Sequence, residues 1–324
     1  MSDGVCVLSV CLNPTLQRTV TLEKRLVVGD VNRANNCVVK ASGKGINVTR
    51  VLTQLHVNAL HLCQAHIGSS NANTFLSLAE KDGVKVRTVD CGENTDVRCC
   101  TTIIDASTSP HTMTEIVEPG ARVESSTEDG VLHTFKTIIS EFADSLRVVV
   151  ISGSKAPGFS STLFGEMTRF AKEQGLFVLL DIRGNDLVNC LPFHPDVVKP
   201  NVSELVETLF PESNAETITD EDLRKCLLDI WKKHGVRSVI TRGAKPTVFV
   251  DANGMVSQEN VESLNVSDIV NTIGCGDSFA AGFAASVVSH QEKGDKDWIR
   301  EAVKSGHHAA ALNAKTLCPG SIEP

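Results

Sequence analysis

The C-terminal two-thirds of the chain alternates short, apolar, β-branched runs with amphipathic stretches of helical length. The apolar runs are 146-LRVVVISGS, 176-LFVLLDIRG, 197-VVKPN and 236-VRSVITRGA, and the helix-like stretches are 160–174, 203–210 and 220–234. This alternation is typical of βαβ units, whose parallel strands are joined by helices. Because the runs are apolar throughout, helices must cover both faces of the sheet. The sequence therefore predicts a three-layer α/β/α domain with a mostly parallel sheet.

Ligands bind such a sheet at the C-terminal ends of its strands. These ends are predicted at 152–153, Asp181, Asn201 and 241–243, and the apolar run from Val5 to Leu12 is predicted as a first buried strand. The polar stretch 211-PESNAETITDED is expected to be a surface loop leading into a helix capped by Thr219 or Asp220.

Two segments interrupt this rhythm, at 13–40 and 95–120. The second contains the strand-like runs 96-DVRCCTTIID and 111-HTMTEIV, with turn signals at 107-STSP and 118-EPG. We interpret both segments as a small antiparallel β lid inserted into the main domain. The main nucleotide- and substrate-binding domain would then comprise 1–12, 41–94 and 121–324.

Charge and cysteine content narrow the class of protein. The 31 basic and 39 acidic residues are spread along the chain and give a net charge of −8, so no electrostatic footprint for nucleic acid or an anionic membrane is present. The eleven cysteines form no C-x-x-C pair, which favours a reducing cytoplasm without a disulfide framework or zinc site. The apolar run near the N-terminus is too short to cross a bilayer. A small-molecule partner is therefore expected.

The strongest local signal is 268-DIVNTIGCGDSFAAGFAASVV, which reads as a strand-like run, a glycine turn and a helix start. Gly274 and Gly276 allow close approach of a ligand, and the free N–H groups of a helix start attract an anion such as a transferring phosphoryl group. Asp277 has two interpretations. It could cap the helix, or it could be the base that accepts a proton from the attacking hydroxyl.

A second glycine-rich segment, 41-ASGKGINVTRVLTQL, also opens an amphipathic helix but lacks P-loop spacing. Gly43, Lys44 and Asn47 could hold an anionic or polyhydroxy ligand, although a solvated lysine and a surface asparagine are equally compatible with so short a motif. In a third segment, 199-KPNVSEL, Asn201 and Glu204 have the spacing of a capping box.

Together these three segments resemble the ribokinase-like (PfkB) sugar kinase family in order and spacing. The motifs are the GKGIN segment, K-P-N-x-x-E and N-T-x-G-x-G-D-S-F. The likeness spans nearly the whole chain, because 12-LNP, 29-GDVNR, 114-TEIVEPG, 152-SGS and 181-DIRG are similar to the branch containing 1-phosphofructokinases and tagatose-6-phosphate kinases.

The resemblance implies a role for each matching residue. Asp277 would be the catalytic base beside an anion hole formed by Gly274, Cys275 and Gly276. Asn201 and Glu204 would organise Mg²⁺ and the ATP phosphates through water, without a direct protein cage for the metal. Thr241, Gly243 and Asn313 would lie near the ATP ribose and adenine. The substrate would contact the lid side and the glycine-rich segment through Asn13, Gln17, Gly43, Lys44, Asn47 and Arg98.

Lys44 and Arg98 would hold the phosphate that the substrate already carries, since a lysine and a fixed guanidinium bind phosphate tightly. Four positions depart from the family pattern. Gln17 stands where aspartate is usual, Ser42 and Pro246 replace glycines, and Cys100 replaces an asparagine.

The resemblance therefore implies an ATP- and Mg²⁺-dependent kinase, with fructose 1-phosphate as acceptor and fructose 1,6-bisphosphate as product. Gln17 leaves tagatose 6-phosphate and fructose 6-phosphate open as acceptors, and a non-catalytic sensor of sugar phosphates or nucleotides is the alternative from another class. A nucleoside kinase is disfavoured by Lys44 and Arg98. We expect a cytoplasmic homodimer that pairs through the lid.

Overall fold

The computed structural model describes residues 4–93, 95–210, 217–291 and 298–323. The strands are β1 (Val7–Val10), β2 (Thr15–Leu22), β3 (Asn36–Ser42), β4 (Ala59–Ala65), β5 (Lys85–Asp90), β6 (Arg98–Asp105), β7 (Thr112–Val117), β8 (Val148–Ser152), β9 (Phe177–Asp181), β10 (Val197–Val198), β11 (Arg237–Arg242), β12 (Lys245–Val250) and β13 (Val256–Glu259). The helices are α1 (Lys44–Gln54), α2 (Ser70–Lys81), α3 (Ser125–Glu141), α4 (Leu163–Glu173), α5 (Gly184–Cys190), α6 (Val202–Leu209), α7 (Asp220–His234), α8 (Cys275–Gln291) and α9 (Trp298–Ala314).

The larger sheet has the strand order β13-β12-β11-β10-β9-β8-β1-β4-β5. Every pair from β11 to β5 is parallel, whereas β12 and β13 add on as antiparallel strands at one edge. The predicted α/β class and mostly parallel sheet are therefore confirmed. The strands predicted from the four apolar runs are β8, β9, β10 and β11.

Helices cover both faces of this sheet because its central strands are apolar on both sides. Along β8, Val149 and Ile151 pack into the core under α3 to α7, and Val148 and Val150 pack into the core under α1, α8 and α9. Each fully buried side chain of this size contributes about 1.5–3 kcal/mol of transfer free energy. The sheet is thereby held between two helical layers, and the C-terminal ends of its strands lie along one edge.

Capping signals set where several helices begin. Thr219 caps α7 through a reciprocal bond with Asp222, as one of the two predicted caps. The first six residues of the polar stretch predicted as a loop, 211–216, lie outside the described residues. The 15-residue α7 then ends at Gly235, whose left-handed backbone (φ +67°) terminates the helix.

A second sheet of four strands has the order β3-β2-β6-β7. Its strands come from the two segments predicted as a lid, with β3 running to Ser42, beyond the boundary expected at residue 40. The expectation of a fully antiparallel lid was wrong, because β2 and β6 pair in parallel. β2 follows β1 in the chain, and β6 follows β5. Because β1 and β5 run in the same direction in the larger sheet, β2 and β6 enter the smaller sheet in the same direction. The division into main domain and lid stays a prediction.

Candidate active site

The turn before α8 is built from glycine for steric reasons. Gly274 has a φ of +84°, and a Cβ atom there would lie 2.4 Å from the backbone nitrogen of Gly320. Cys275, Gly276 and Asp277 are the first three residues of α8. Beside Gly276 the nearest group is the Nζ atom of Lys199, 3.9 Å from the position of an added Cβ. The start of the helix therefore faces an open space with a cation next to it, which is an environment suited to an anion.

Asp277 is a buried carboxylate with one strong partner. Its side chain is 7% exposed, and its Oδ2 atom accepts a hydrogen bond of 2.8 Å from Nδ2 of Asn47. Burial raises the pKa of Asp277 to about 6, against the opposing effects of the Lys44 ammonium and the Asn47 amide. Asp277 is the third residue of α8 and bonds to another helix, so it does not adopt the helix-capping alternative. A carboxyl with this pKa can exchange a proton near neutral pH.

Lys44 lies among carboxylates at the same edge of the sheet. Its Nζ atom is 2.8 Å from Glu204 Oε1 and 3.3 Å from Asp181 Oδ1. Burial alone would lower the pKa of Lys44, but these two carboxylates outweigh it and raise the pKa. The ammonium is thus permanently charged. Its predicted place beside Arg98 at a substrate phosphate stays a prediction, since in this structure it pairs with carboxylates.

Asp181 and Lys199 belong to the same ionic cluster, although Asp181 was predicted only as a strand end at the ligand-binding edge and Lys199 was given no role. Both are buried, at 0% and 3% exposure, and Lys199 Nζ is 3.3 Å from Asp181 Oδ1. The other oxygen, Asp181 Oδ2, has no hydrogen-bond partner among the described residues. The signal for both was present, because Asp181 ends an apolar strand and Lys199 opens the K-P-N motif.

Asn201 and Glu204 form the capping box that their spacing predicts. Asn201 Oδ1 accepts from the Glu204 backbone N–H at 2.8 Å, and the Glu204 side chain accepts from the Asn201 N–H at 3.0 Å. Burial opposes ionisation of Glu204, but Lys44 and Lys199 lower its pKa. Asn201 also pairs with Thr241 as an isolated parallel bridge. Capping thus presents the Glu204 carboxylate next to Lys44.

These groups suit a magnesium ion only as partial ligands. The described residues contain no cluster of three or more histidine, cysteine or carboxylate side chains that could hold a metal. Mg²⁺ often binds through one or two carboxylates and takes its remaining ligands from water and substrate phosphates. The Glu204 carboxylate and the unpartnered Oδ2 atom of Asp181 are oxygen ligands of the kind that such an ion takes.

The glycine-rich segment forms the tight entry to α1. Gly43 has a φ of +116°, a region that residues with a Cβ rarely adopt. Asn47, predicted to bind substrate, is 4% exposed, and its Oδ1 atom accepts from Ser42 Oγ and from Arg50 Nη1, both at 3.1 Å. In this structure the amide of Asn47 therefore bonds to protein groups and to Asp277.

The predicted substrate residues on the lid side lie near one another. Asn13 and Arg98 line the same small cavity of about 20 Å³, which is too small for a sugar phosphate and is the size of a single water molecule. Arg98 donates from Nη1 to the Glu118 carbonyl at 2.9 Å, and its Nε atom has no partner among the described residues. Gln17 is buried and donates to Thr102 across the lid sheet at 2.9 Å.

A larger cavity of about 540 Å³ opens at the ends of β10 and β11. Three residues predicted to contact the nucleotide, Asn201, Thr241 and Gly243, line it, and two cationic side chains join them, Arg242 and Lys245. Its volume is within the range of small-molecule sites.

The side chain of Asn313 is enclosed by other protein groups. Its side chain is fully buried, with Oδ1 accepting from Ser278 Oγ and the Gly320 N–H at 3.0 and 2.7 Å, and Nδ2 donating to the Ile273 carbonyl at 3.0 Å. The polar atoms of Asn313 bond to protein groups in this structure, and its predicted place near the ATP ribose and adenine stays a prediction. Asn313 braces the turn around Gly274 against the segment 318–321.

No helix in the described parts of the chain has the length and apolarity needed to cross a membrane.

Comparisons with known proteins agree with this architecture. The model of the family "pfkB family carbohydrate kinase" matches residues 8–323. The solved structure of a possible 1-phosphofructokinase from Thermotoga maritima superposes with a TM-score of 0.79 at 25% identity, covering 96% of this chain and 92% of that chain. Phosphofructokinase-2 from Escherichia coli in complex with fructose-6-phosphate has a TM-score of 0.78 at 21% identity, covering 98% and 96%. The tetrameric inhibited form of that enzyme has a TM-score of 0.75 at 22% identity, with the same coverage.

The two Escherichia coli structures show a shared fold, and the family match extends over nearly all of the chain. This chain therefore belongs to the pfkB family of carbohydrate kinases and is a sugar kinase.

Proposed function

We propose that this sugar kinase transfers the γ-phosphoryl group of ATP to a hydroxyl of fructose 1-phosphate, giving fructose 1,6-bisphosphate. The observation that carries the proposal is the buried Asp277 carboxylate, which lies in the first turn of α8 beside an open space next to Lys199. A base and an anion site within one helical turn are the two groups that in-line phosphoryl transfer requires.

Asp277 accepts the proton of the attacking hydroxyl. Its Oδ2 atom accepts a hydrogen bond from Asn47, whereas its Oδ1 atom forms none with the described residues. Oδ1 is therefore the atom available to the acceptor hydroxyl. The N–H groups of Gly274, Cys275 and Gly276 stabilise the charge that develops on the transferring group. Lys199 adds a fixed positive charge at the same place.

ATP occupies the edge of the sheet at the ends of β10 and β11. Asn201, Thr241 and Gly243 line the cavity of about 540 Å³ there. Glu204 would hold Mg²⁺, and the ion would neutralise charge on the phosphates. Closure of the lid excludes water that would otherwise accept the phosphoryl group.

The sugar phosphate lies between the main domain and the lid, near Asn13, Gln17 and Gly43. Its own phosphate is held by Lys44 and Arg98, with Lys44 released from its carboxylate partners on binding. The likeness to a possible 1-phosphofructokinase from Thermotoga maritima supports fructose 1-phosphate. The complex of Escherichia coli phosphofructokinase-2 with fructose-6-phosphate favours fructose 6-phosphate as the second candidate.

We also propose that the protein is a homodimer paired through the lid, and that it works in the cytoplasm. Exposed apolar side chains cluster on the smaller sheet and its loops, where Val28 is 95% exposed and Ile116 and Val117 are more than half exposed. An apolar surface of this kind is favoured at interfaces. The eleven cysteines are all free, as in a reducing compartment. A monomer by sedimentation at micromolar concentration would contradict the dimer.

The first experiment is ADP release with ATP and Mg²⁺ and a panel of acceptors: fructose 1-phosphate, fructose 6-phosphate, tagatose 6-phosphate and the free sugars. We expect the highest kcat/KM with fructose 1-phosphate. Asp277→Asn should bind both substrates but lose at least ~100-fold in turnover, the low end for a general base. Turnover close to the parent's would refute the catalytic role.

Substitution of the two proposed phosphate-binding cations separates substrate binding from chemistry. Lys44→Ala and Arg98→Ala should chiefly raise KM for the sugar phosphate, because the chemical step does not use either side chain directly. Arg169→Ala is a matched control, since Arg169 pairs with Glu173 on the exposed face of α4. Unchanged KM values would remove both residues from the substrate site.

A further inference from the structure

Asn47 is placed between the candidate base and a set of buried hydrogen-bond donors. Its Nδ2 atom donates to Asp277 Oδ2 at 2.8 Å. Its Oδ1 atom accepts from Ser42 Oγ and from Arg50 Nη1, both at 3.1 Å. All four side chains are buried, with Asn47 at 4% and Arg50 at 2% exposure.

The two donors determine which way the carboxamide faces. A hydroxyl and a guanidinium N–H can both bond to the amide oxygen, whereas a guanidinium cannot accept from an amide NH₂. Arg50 therefore requires Oδ1 on its own side and leaves the NH₂ group facing Asp277. The carboxylate is consequently approached by a donor from one fixed direction.

Arg50 cannot easily move away from this position, because it is held by four other groups. Its Nε atom donates to Asp82 Oδ2 at 2.8 Å, and its terminal nitrogens donate to the backbone carbonyls of Ala41, Pro319 and Gly320. The Gly320 backbone in turn packs on Asn47, since an added Cβ there would lie 2.3 Å from the Asn47 Cβ. The amide is thus enclosed by contacts that leave it one orientation.

We propose that Asn47, oriented by Ser42 and Arg50, is a positioning residue that holds the Asp277 carboxylate in its ionised form, with Oδ1 left for the acceptor hydroxyl. The inference rests on the proposed role of Asp277 as the base. Asn47 thereby acts through Asp277.

Loss of the amide bond should raise the pKa of Asp277 further. Burial already raises this pKa to about 6, and the Asn47 bond is among the effects that oppose it. The charged and titratable groups that act on or near the carboxylate from the surrounding elements are Lys44, Lys199, Asp181, Glu204, Cys11 and Cys275. The substitutions at Asn47 and Ser42 replace none of these six side chains.

The test measures kcat, KM and the protonation of Asp277 in the same variants. Asn47→Ala should move the acid limb of the kcat profile upward by about one pH unit, because one hydrogen bond to a charged group is of that order. Turnover at pH 5 should then fall about tenfold relative to the parent. A ¹³C NMR titration of aspartate carboxyls, assigned with Asp277→Asn, should show the same upward shift without depending on turnover.

Ser42 provides a second variant that keeps the core volume nearly unchanged. Ser42→Ala removes one of the two donors and should shift the acid limb in the same direction by less, while Ser42→Thr keeps the hydroxyl and should restore the parent profile. Asn73→Ala is the control, since Asn73 also lies on a helix and its side chain donates to the Gly68 carbonyl at an exposed site. Its profile should match the parent's.

The outcomes separate this inference from the proposed function. A large rise in KM with an unmoved acid limb and an unmoved Asp277 titration would make Asn47 a substrate ligand and overturn the inference. An Asp277 titration that shifts in Asn47→Ala, combined with full turnover in Asp277→Asn, would instead uphold the positioning of the carboxylate and refute its catalytic use.

Discussion

His61 should make the stability of this protein fall steeply below neutral pH. It lies on β4 directly beneath the glycine-rich segment, where an added Cβ on Gly45 would approach its Cε1 atom to 2.9 Å. The ring is fully buried, with Nδ1 at 2.7 Å from Ser9 Oγ and no partner for Nε2 among the described residues. Burial, assisted by the positive charge of Arg50, lowers the pKa of His61 from 6.5 to about 3.

The size of the effect follows from linkage between protonation and unfolding. The unfolded chain binds a proton at His61 near pH 6.5, whereas the folded protein binds it only near pH 3, so stability is full above pH 6.5 and is lost as the pH falls. Relative to pH 7, this one residue should reduce the free energy of unfolding by about 0.7 kcal/mol at pH 6 and about 2 kcal/mol at pH 5. A loss of about 2 kcal/mol is a large part of the stability of an ordinary domain.

Urea unfolding at pH 7, 6 and 5 measures this directly when the parent is compared with His61→Gln. The variant starts from a lower stability at pH 7, but the difference between the two proteins should shrink by about 2 kcal/mol at pH 5. His133→Gln, a substitution on the exposed face of α3, should follow the parent at every pH. If the difference between parent and His61→Gln stayed constant from pH 7 to 5, His61 would not be held neutral by burial.

Three further predictions concern the candidate site and its supports. Gly274→Ala should lose at least ~100-fold in ADP release, because an added Cβ meets the Gly320 backbone and displaces the helix start, whereas Gly175→Ala, at a positive φ but with no atom within 4 Å, should keep its turnover. Arg50→Met should lower the free energy of unfolding by about 3 kcal/mol in urea titrations, since it breaks a buried network, and Arg169→Met should change it by less than about 0.5 kcal/mol. Chelation of divalent metal should abolish ADP release, and added Mg²⁺ should restore it; turnover that survives chelation would contradict the role proposed for Glu204.

The parallel sheet and its flanking helices could be predicted because the pattern is local. Each apolar run and each amphipathic stretch carries its own period, and the capping residues of α6 and α7 lie within four residues of the helix start. The pairing of β2 with β6 could not be predicted in the same way. Those strands are separated by more than 70 residues, so their relative direction depends on where the two excursions leave the larger sheet.

The same difference between local and long-range features applies to the residues of the candidate site. Asp277, Gly274 and Glu204 lie in short motifs whose residue types match their chemistry, and the sequence alone singles them out. Asp181 was predicted only as a strand end, and Lys199 was given no role, because their ionic contacts depend on the parallel alignment of β9 with its neighbours and do not show in the sequence. Asn313, which is predicted to lie near the ATP ribose and adenine, is fully buried, and this burial could not be predicted from the residues around it in the sequence.

The packing of residues 318–321 against the turn at Gly274 has a consequence for how the protein is made. Gly320 contacts both Asn47 and Gly274, and its carbonyl accepts from Arg50, so the candidate site joins residues that are more than 200 positions apart in the sequence. During synthesis α1 and α8 can form before residue 320 has been added, but until then the hydrogen bond between Asn47 and Asp277 lacks the support of Gly320. Chains stopped before residue 320 should form the sheet yet lack fixed positions for Asn47 and Asp277, so the candidate site should assemble only after residue 320 has been synthesised.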